Sequence, residues 1–194
     1  HLLDAAIFAN GAFHIELGDD AQMLVNEYFP ARTPRMHPGL ERAMRDLYDF
    51  AVRYENLLVF DPRVVLTDVT DRLPVASATH KLNKQGEAGA IWSLARQRAD
   101  GILTLNLINL NGVDDQWRDP AANPVPQTNI ALQVHTGGQV AHVWFATPDD
   151  GLGRLRPLPF TMGTDANGVF AAFTIPKLLF WDMILIEPGP VAAE

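Results

Sequence analysis

Residues 5–18 read AAIFANGAFHIELG, and this stretch decides how the first part of the 194-residue chain is interpreted. A short apolar run, Ala5–Ala9, ends at the pair Asn10-Gly11, and polar residues then alternate with apolar ones over Phe13–Leu17. The pattern predicts two short extended segments joined by a tight turn. Polar groups on strand-like segments beside a glycine turn are typical of a ligand site that a rigid scaffold presents.

A long loop and one helix are predicted next. The stretch 19–38 contains three prolines, and loops of that length inside compact domains are often functional. A helix is predicted from Pro38, which suits a first turn. Its apolar face recurs at steps of three and four residues, namely at Leu40, Met44, Leu47, Ala51 and Tyr54. A further strand is predicted over Val64–Val69.

From residue 76 onward, short β-like runs alternate with turn residues such as Asn111-Gly112 and Asn167-Gly168. Seven runs are candidate strands: Ala90–Ala95, Ile102–Leu110, Ile130–His135, Val140–Ala146, Leu155–Thr161, Val169–Ile175 and Phe180–Ile186. That number of strands with frequent turns predicts an antiparallel β-sandwich of Ig-like or Greek-key type. The expected fold class is therefore α/β plus all-β, with an α/β piece over residues 1–75 and a sandwich over residues 76–194.

Composition argues against several classes of function. The net charge of −8 without a basic cluster disfavours nucleic-acid binding, and no apolar run reaches the roughly 20 residues that a membrane span needs. The absence of cysteine excludes disulfides and thiolate metal sites. The histidines form no HxH or HExxH motif, and Asp149-Asp-Gly151 is better interpreted as a turn than as a calcium loop. We therefore expect no metal and no cofactor.

The string AxxANGxxHxELG at residues 6–18, followed by EYFP at residues 27–30, resembles glycoside hydrolase family 66, the bacterial dextranases and cycloisomaltooligosaccharide glucanotransferases. The resemblance runs through the chain but covers only the C-terminal portion of such an enzyme. It implies the end of a (β/α)8 barrel followed by a β-sandwich, a retaining mechanism, an α-1,6-glucan (dextran) substrate and secretion by a bacterium. It also implies catalytic carboxylates upstream, so that the missing N-terminal part of the barrel is a partner and this chain alone is inactive.

On that resemblance, the expected substrate-binding residues are Asn10, Gly11, His14, Glu16 and Tyr28, with no catalytic residue in this chain. An amide and a carboxylate can bind sugar hydroxyls, a tyrosine ring can stack on a pyranose, and a glycine lets the backbone approach. Simpler interpretations stay open at this point. Asn10-Gly11 is also an ordinary turn signature, His14 a candidate structural histidine, and Glu16 a candidate partner of an arginine.

The tryptophans suggest an alternative function, that of a non-catalytic carbohydrate-binding or interaction module. Trp144 and Trp181 lie inside apolar runs and are predicted to belong to the core. Trp117 lies between Gln116 and Arg118 in a proline-rich loop and is the tryptophan expected at the surface. There it could stack on a glucan chain, or pack against the barrel.

Overall fold

A computed structural model describes residues 1–14, 20, 22–23, 35–59, 66–114 and 123–190. The first helix, α1, spans Leu2–Ala9, so the predicted strand over Ala5–Ala9 is wrong. A five-residue apolar run has no period that separates a strand from a buried helix, and the four alanines of α1 and its flank favour a helix. Asp4 in the first turn adds a favourable interaction with the helix dipole. The predicted extended segment Phe13–Leu17 lies mostly outside the described residues.

The predicted second helix is confirmed as α2, Pro38–Arg53, and a short helix, α3, follows at Glu55–Leu58. The His37 ring accepts a hydrogen bond from the Gly39 amide at 3.1 Å, which caps the start of α2 beside the predicted Pro38. The apolar face is buried as the spacing predicts, since Met44, Leu47 and Ala51 are all buried. No helix among the described residues is both long and apolar enough to cross a membrane.

The predicted sandwich is confirmed. Its strands are β1 Leu66–Asp68, β2 Val75–Ser77, β3 Leu82–Asn83, β4 Ile91–Arg98, β5 Leu103–Asn109, β6 Gln127–His135, β7 Val140–Ala146, β8 Arg156–Pro157, β9 Phe160–Asp165, β10 Gly168–Leu178 and β11 Trp181–Pro188. Six predicted strands are found as single strands, whereas the run Leu155–Thr161 is divided between β8 and β9. Strands β2 and β3 were not predicted, because two or three residues leave no readable alternation.

The described strands form two sheets. The large sheet has the order β1-β4-β5-β11-β7-β8, with β3 also pairing with β4, and the small sheet has the order β2-β6-β10-β9. Apart from the β3–β4 pair, the pairings are antiparallel. Strand β1 precedes residue 76 and already belongs to the large sheet, while the domain division at residue 75 stays a prediction.

The molecule has three layers, with the large sheet in the middle. One apolar core lies between the two sheets and includes Leu105, Ile130 and Ile184. The other lies between the helices and the opposite face of the large sheet and includes Phe8, Phe50 and Trp181. Central strands β5 and β11 are therefore covered on both faces, and all seven residues of β5 are buried. This explains why apolar residues fill both alternating positions over residues 183–186 of β11. On β5, by contrast, leucines alternate with the buried polar residues Thr104 and Asn106.

Candidate functional site

Asn10 and Gly11 end helix α1. The Gly11 amide donates to the Phe8 carbonyl at 2.8 Å and the Ala12 amide to the Ile7 carbonyl at 3.1 Å, which is the Schellman arrangement of a helix C-terminus. The Asn10 side-chain amide donates to the Ala6 carbonyl at 2.8 Å. Asn10 is therefore a helix cap, and the expectation that it stands at the end of a strand is wrong. A sugar contact at Asn10 stays a prediction, but the strand end on which it was based is a helix end.

Gly11 also sets how closely the helical layer approaches the sandwich. Its φ of +77° favours glycine, and a Cβ there would collide with the Leu58 carbonyl oxygen at the end of α3. The same Cβ would lie 3.3 Å from Nη1 of Arg96, which donates to the Leu58 carbonyl at 2.8 Å. Gly11 thus lies where the ends of α1 and α3 meet strand β4.

His14 links α1 to α2. Its Nδ1 lies 2.9 Å from Oδ1 of the buried Asp4, and the Tyr48 hydroxyl donates to the His14 carbonyl. The ring is about one-third exposed, at 34%. These contacts favour a structural role for the side chain, and a ligand contact at its exposed part stays a prediction.

Glu16 and Tyr28 lie outside the described residues, as does Trp117. Their predicted sugar contacts are therefore neither supported nor contradicted by the structure. Among the described residues, no group of three or more His, Asp or Glu side chains is arranged to hold a metal ion. The predicted turn at Asp149-Asp-Gly151 is confirmed as a 3-10 turn over Pro148–Asp150 followed by Gly151 in the left-handed region.

Asp149 is a buried acid whose structural role the sequence did not reveal. Its Oδ2 accepts the amides of Phe180 and Trp181, at 2.8 and 3.0 Å, where β11 begins. Its Oδ1 lies 3.2 Å from Nε2 of His1, whose ring stacks on Phe180. Burial raises the pKa of Asp149 to about 6, although the two amides oppose the shift. Asp149 therefore fixes the entry into β11.

Asp182 lies on β11, is 1% exposed, and has no hydrogen-bond partner for either carboxyl oxygen within the described part of the chain. The neighbouring Thr147 hydroxyl donates its one proton to the Trp181 carbonyl at 2.8 Å, so it cannot also stabilise an ionised Asp182 by donation. Burial raises the pKa of Asp182 well above its ordinary value, and the nearby Asp149 adds to the shift. An aspartate inside the apolar run 178–186 was the only sequence signal for this position.

The tryptophans differ in burial. Trp181 is fully buried and donates from Nε1 to Oδ1 of Asn106 at 3.0 Å, so its predicted core position is confirmed. Trp144 packs against the core between the helices and the large sheet but is only half-buried, so its predicted core position is confirmed only in part. Trp92 is also half-buried and donates from Nε1 to the Lys84 carbonyl at 3.2 Å. Trp144 lies near the edge of the large sheet, beside the two-residue strand β8, and such an edge leaves part of an aromatic ring uncovered.

A shallow groove of about 700 Å³ crosses the outer face of the small sheet. Its floor consists of small residues, among them Ala76, Ala131 and Ala172, and its polar groups include Gln133 and Thr161. Among the described residues that line it, no buried polar group points to a particular ligand, so the groove by itself identifies no function.

Comparison with known proteins places nearly the whole chain against one part of two longer relatives. Two cycloisomaltooligosaccharide glucanotransferases of Niallia circulans are 40% and 39% identical, over 188 and 193 residues. These matches cover 96% and 98% of this chain but 19% and 20% of those proteins. The chain thus spans about one-fifth of the length of the curated relatives it matches.

A solved structure agrees with this placement. The crystal structure of a Paenibacillus sp. cycloisomaltooligosaccharide glucanotransferase complexed with cycloisomaltoheptaose matches with a TM-score of 0.83 and 35% identity, over 95% of this chain and 26% of that one. The family model described as Glycosyl hydrolase family 66 matches residues 1–185. The chain therefore belongs to glycoside hydrolase family 66 and corresponds to one portion of the family's longer members.

Proposed function

We propose that this chain is the C-terminal part of a longer glycoside hydrolase that acts on α-1,6-linked glucan. The observation that carries the proposal is the 40% identity to a cycloisomaltooligosaccharide glucanotransferase over nearly the whole chain. The solved relative was complexed with cycloisomaltoheptaose, a cyclic oligosaccharide. Because such an enzyme acts on a polymer too large to enter a cell, we further propose that it is secreted.

We propose that α1 and α2 are consecutive helices of a (β/α)8 barrel whose remaining strands come from the rest of the enzyme. The helical layer has an uncovered apolar surface that supports this assignment: Leu3 is 44% exposed, Phe13 64% and Val52 71%. Helix α1 is apolar around most of its circumference, which is typical of a helix covered on two sides. The sandwich covers one side, and the barrel would cover the other.

This assignment divides the predicted sugar-binding residues into two groups. In a (β/α)8 barrel the loops that lead from strands into helices form the catalytic face, and those that lead from helices into strands lie at the opposite end. Asn10 and Gly11 follow a helix and would lie at the opposite end, whereas residues that precede α2 would lie near the catalytic face. Glu16 and Tyr28 are therefore the proposed sugar contacts that deserve priority in mutagenesis.

The proposed chemistry is retaining, through a covalent glycosyl intermediate, with both catalytic carboxylates supplied from outside this chain. Attack by water would give hydrolysis, and attack by the far end of the same glucan would give a cyclic product. The sandwich contributes by supporting the helices, which pack on the outer face of its large sheet.

The test is to incubate the longer protein that contains this chain with dextran. Reducing ends and cyclic products are measured together, with an α-1,4-glucan as the matched substrate control. We expect turnover of dextran and little turnover of the α-1,4-glucan. Binding of dextran without turnover would instead support a non-catalytic carbohydrate-binding module. If the protein neither binds nor turns over either polymer, both functions are rejected.

A further inference from the structure

Trp144 is held in position on β7, next to the edge strand β8 of the large sheet. Its Nε1 donates to Oε1 of Glu187 at 3.1 Å, across the β7–β11 pair. The ring of His142, two residues earlier on β7, lies 5.7 Å from the Trp144 ring and is tilted by 44°. The indole is therefore oriented by a hydrogen bond but only half-buried, unlike Trp181 in the same sheet.

A shallow, open cavity of about 430 Å³ lies beside this tryptophan. Its wall includes His142, Trp144, Pro157, Leu158, Pro159 and Phe160. The volume lies within the range of about 300–1,000 Å³ that is typical of small-molecule sites. Rigid rings from one tryptophan and two prolines supply an apolar surface, and the exposed His142 adds a group that can both donate and accept hydrogen bonds.

We propose that this cavity, the Trp144 site, binds glucose residues of an α-glucan chain away from the reacting bond; the proposal rests on the proposed function. A pyranose has one face of C–H groups, which stacks on an indole, and a rim of hydroxyls, which pair with a polar side chain such as His142. The chain carries a net charge of −8 and Glu187 lies beside the indole, so an anionic ligand is disfavoured. An uncharged sugar can stack on the indole and pair with His142, and it carries no negative charge.

Such a site would act through the length of the substrate. A long polymer can occupy the Trp144 site and the catalytic cleft at the same time. Once it is bound at one of the two, binding at the other is intramolecular, and this raises the overall affinity. A short oligosaccharide cannot reach both places and gains nothing. Glu187 is a positioning residue in this scheme, since it orients the indole.

The experiment compares Trp144→Ala with Trp92→Ala in the intact enzyme. Trp92 is a matched control because it is also half-buried and its Nε1 also donates a hydrogen bond, in this case to the Lys84 carbonyl. The two differ in that Gly86 covers the Trp92 ring: a Cβ added at Gly86 would lie 3.4 Å from the ring carbons. Affinity for dextran is measured by electrophoresis in dextran-containing gels, and turnover is measured on dextran and on isomaltotriose. Thermal unfolding shows that each variant is folded.

We expect Trp144→Ala to weaken dextran binding about five- to tenfold, the loss of one aromatic stacking contact, with isomaltotriose turnover unchanged. Trp92→Ala is expected to leave dextran binding within about twofold of wild type. If Trp144→Ala does not fold, His142→Ala takes its place, with an expected loss of about two- to threefold from one exposed hydrogen bond.

Dextran binding equal to wild type in the folded Trp144 variant, or in His142→Ala if that variant replaces it, overturns the Trp144 site. A change in oligomeric state by light scattering, without a change in dextran binding, also overturns it and assigns the surface to a protein partner. A wild-type enzyme that turns over no α-glucan at all rejects the proposed function itself. The two failures are therefore distinguishable.

Discussion

The two faces of the large sheet are covered in different ways. Toward the small sheet, the core consists mainly of aliphatic residues and phenylalanines, whose side chains carry no hydrogen-bonding groups. Toward the helices, polar groups reach across the boundary as well: the Tyr54 hydroxyl donates to the Gly153 carbonyl at 2.8 Å and accepts the Leu155 amide at 3.0 Å. Arg96 likewise donates to the Leu58 carbonyl. The sheet–sheet boundary therefore depends on apolar area, and the helix–sheet boundary on close fit.

The substitution Gly11→Ala tests the close fit at the helix–sheet boundary and should have the largest effect. The new Cβ meets the Leu58 carbonyl in a left-handed backbone conformation, so we expect a loss of about 3 kcal/mol in the free energy of unfolding. Chemical denaturation of the protein measures the loss. Hydrogen exchange should locate it in α1 and α3, with the β5 and β11 amides least affected.

Gly137→Ala is the matched control for Gly11→Ala. Gly137 also has a positive φ, of +70°, but a Cβ added at this position would have no other atom within 4 Å. Only backbone strain remains there, so we expect a loss of about 1 kcal/mol. Equal losses at the two glycines would mean that the contact with Leu58 contributes nothing, and the proposed difference between the two faces would fail.

Asp182→Leu tests the other boundary, where Asp182 interrupts the apolar face that Ile184 and Ile186 continue. Burial raises the pKa of Asp182 well above its ordinary value, so the folded state holds this proton more tightly than the unfolded chain does. Stability is then greatest below the unfolded pKa of about 4 and falls as the pH rises toward the folded pKa. Removal of the carboxyl group should raise the free energy of unfolding by about 1–3 kcal/mol at pH 8.

The measurement is denaturation of wild type and Asp182→Leu at pH 4 and pH 8. The gain should be smaller at pH 4, where Asp182 is protonated in the folded state and about half protonated in the unfolded chain. Asp149, with a pKa of about 6, should still cause a loss of stability between pH 4 and pH 6 in the variant. A variant that is less stable than wild type at pH 8 would show that Asp182 has a stabilising partner.

Asn10→Ala should have the smallest effect. It removes one part-buried side-chain hydrogen bond to the Ala6 carbonyl, so we expect a loss of about 1 kcal/mol or less in stability. Turnover of dextran by the intact enzyme should stay within about twofold of wild type, because the helix end lies away from the proposed catalytic face. A 100-fold fall in kcat with the fold intact would restore the sugar subsite that the sequence suggested.

The sandwich strands could be predicted from sequence because each is bounded by turn residues and is long enough to show a pattern. Strands β5, β7 and β11 were found within one or two residues of their predicted limits. Helix α2 was predicted because one of its faces is polar, which makes its period visible. Helix α1 was not, because its second apolar face removes the period that would identify it.

The site was harder to predict than the fold. Asn10-Gly11 is a turn pair that fits both a strand end and a helix C-terminus, and only the position of Leu58, 47 residues further along the chain, explains why glycine is required. Trp144 lies in an apolar run, and its exposure depends on β8 being only two residues long. The residue that explains Gly11 is distant in sequence, and the exposure of Trp144 results from a short neighbouring strand. Neither can be read from the local sequence.

The burial of β11 in the middle of the large sheet also fixes an order of events during synthesis. Trp181 pairs through its indole with Asn106, 75 positions earlier, and α1 packs against both β5 and β11. Helix α1 thus packs on a surface that is complete only after strand β11, which lies far later in the chain, has been synthesised. Loop-closure entropy opposes such long-range pairing, so folding should be slow, with the exposed apolar side of α1 available to chaperones in the interval.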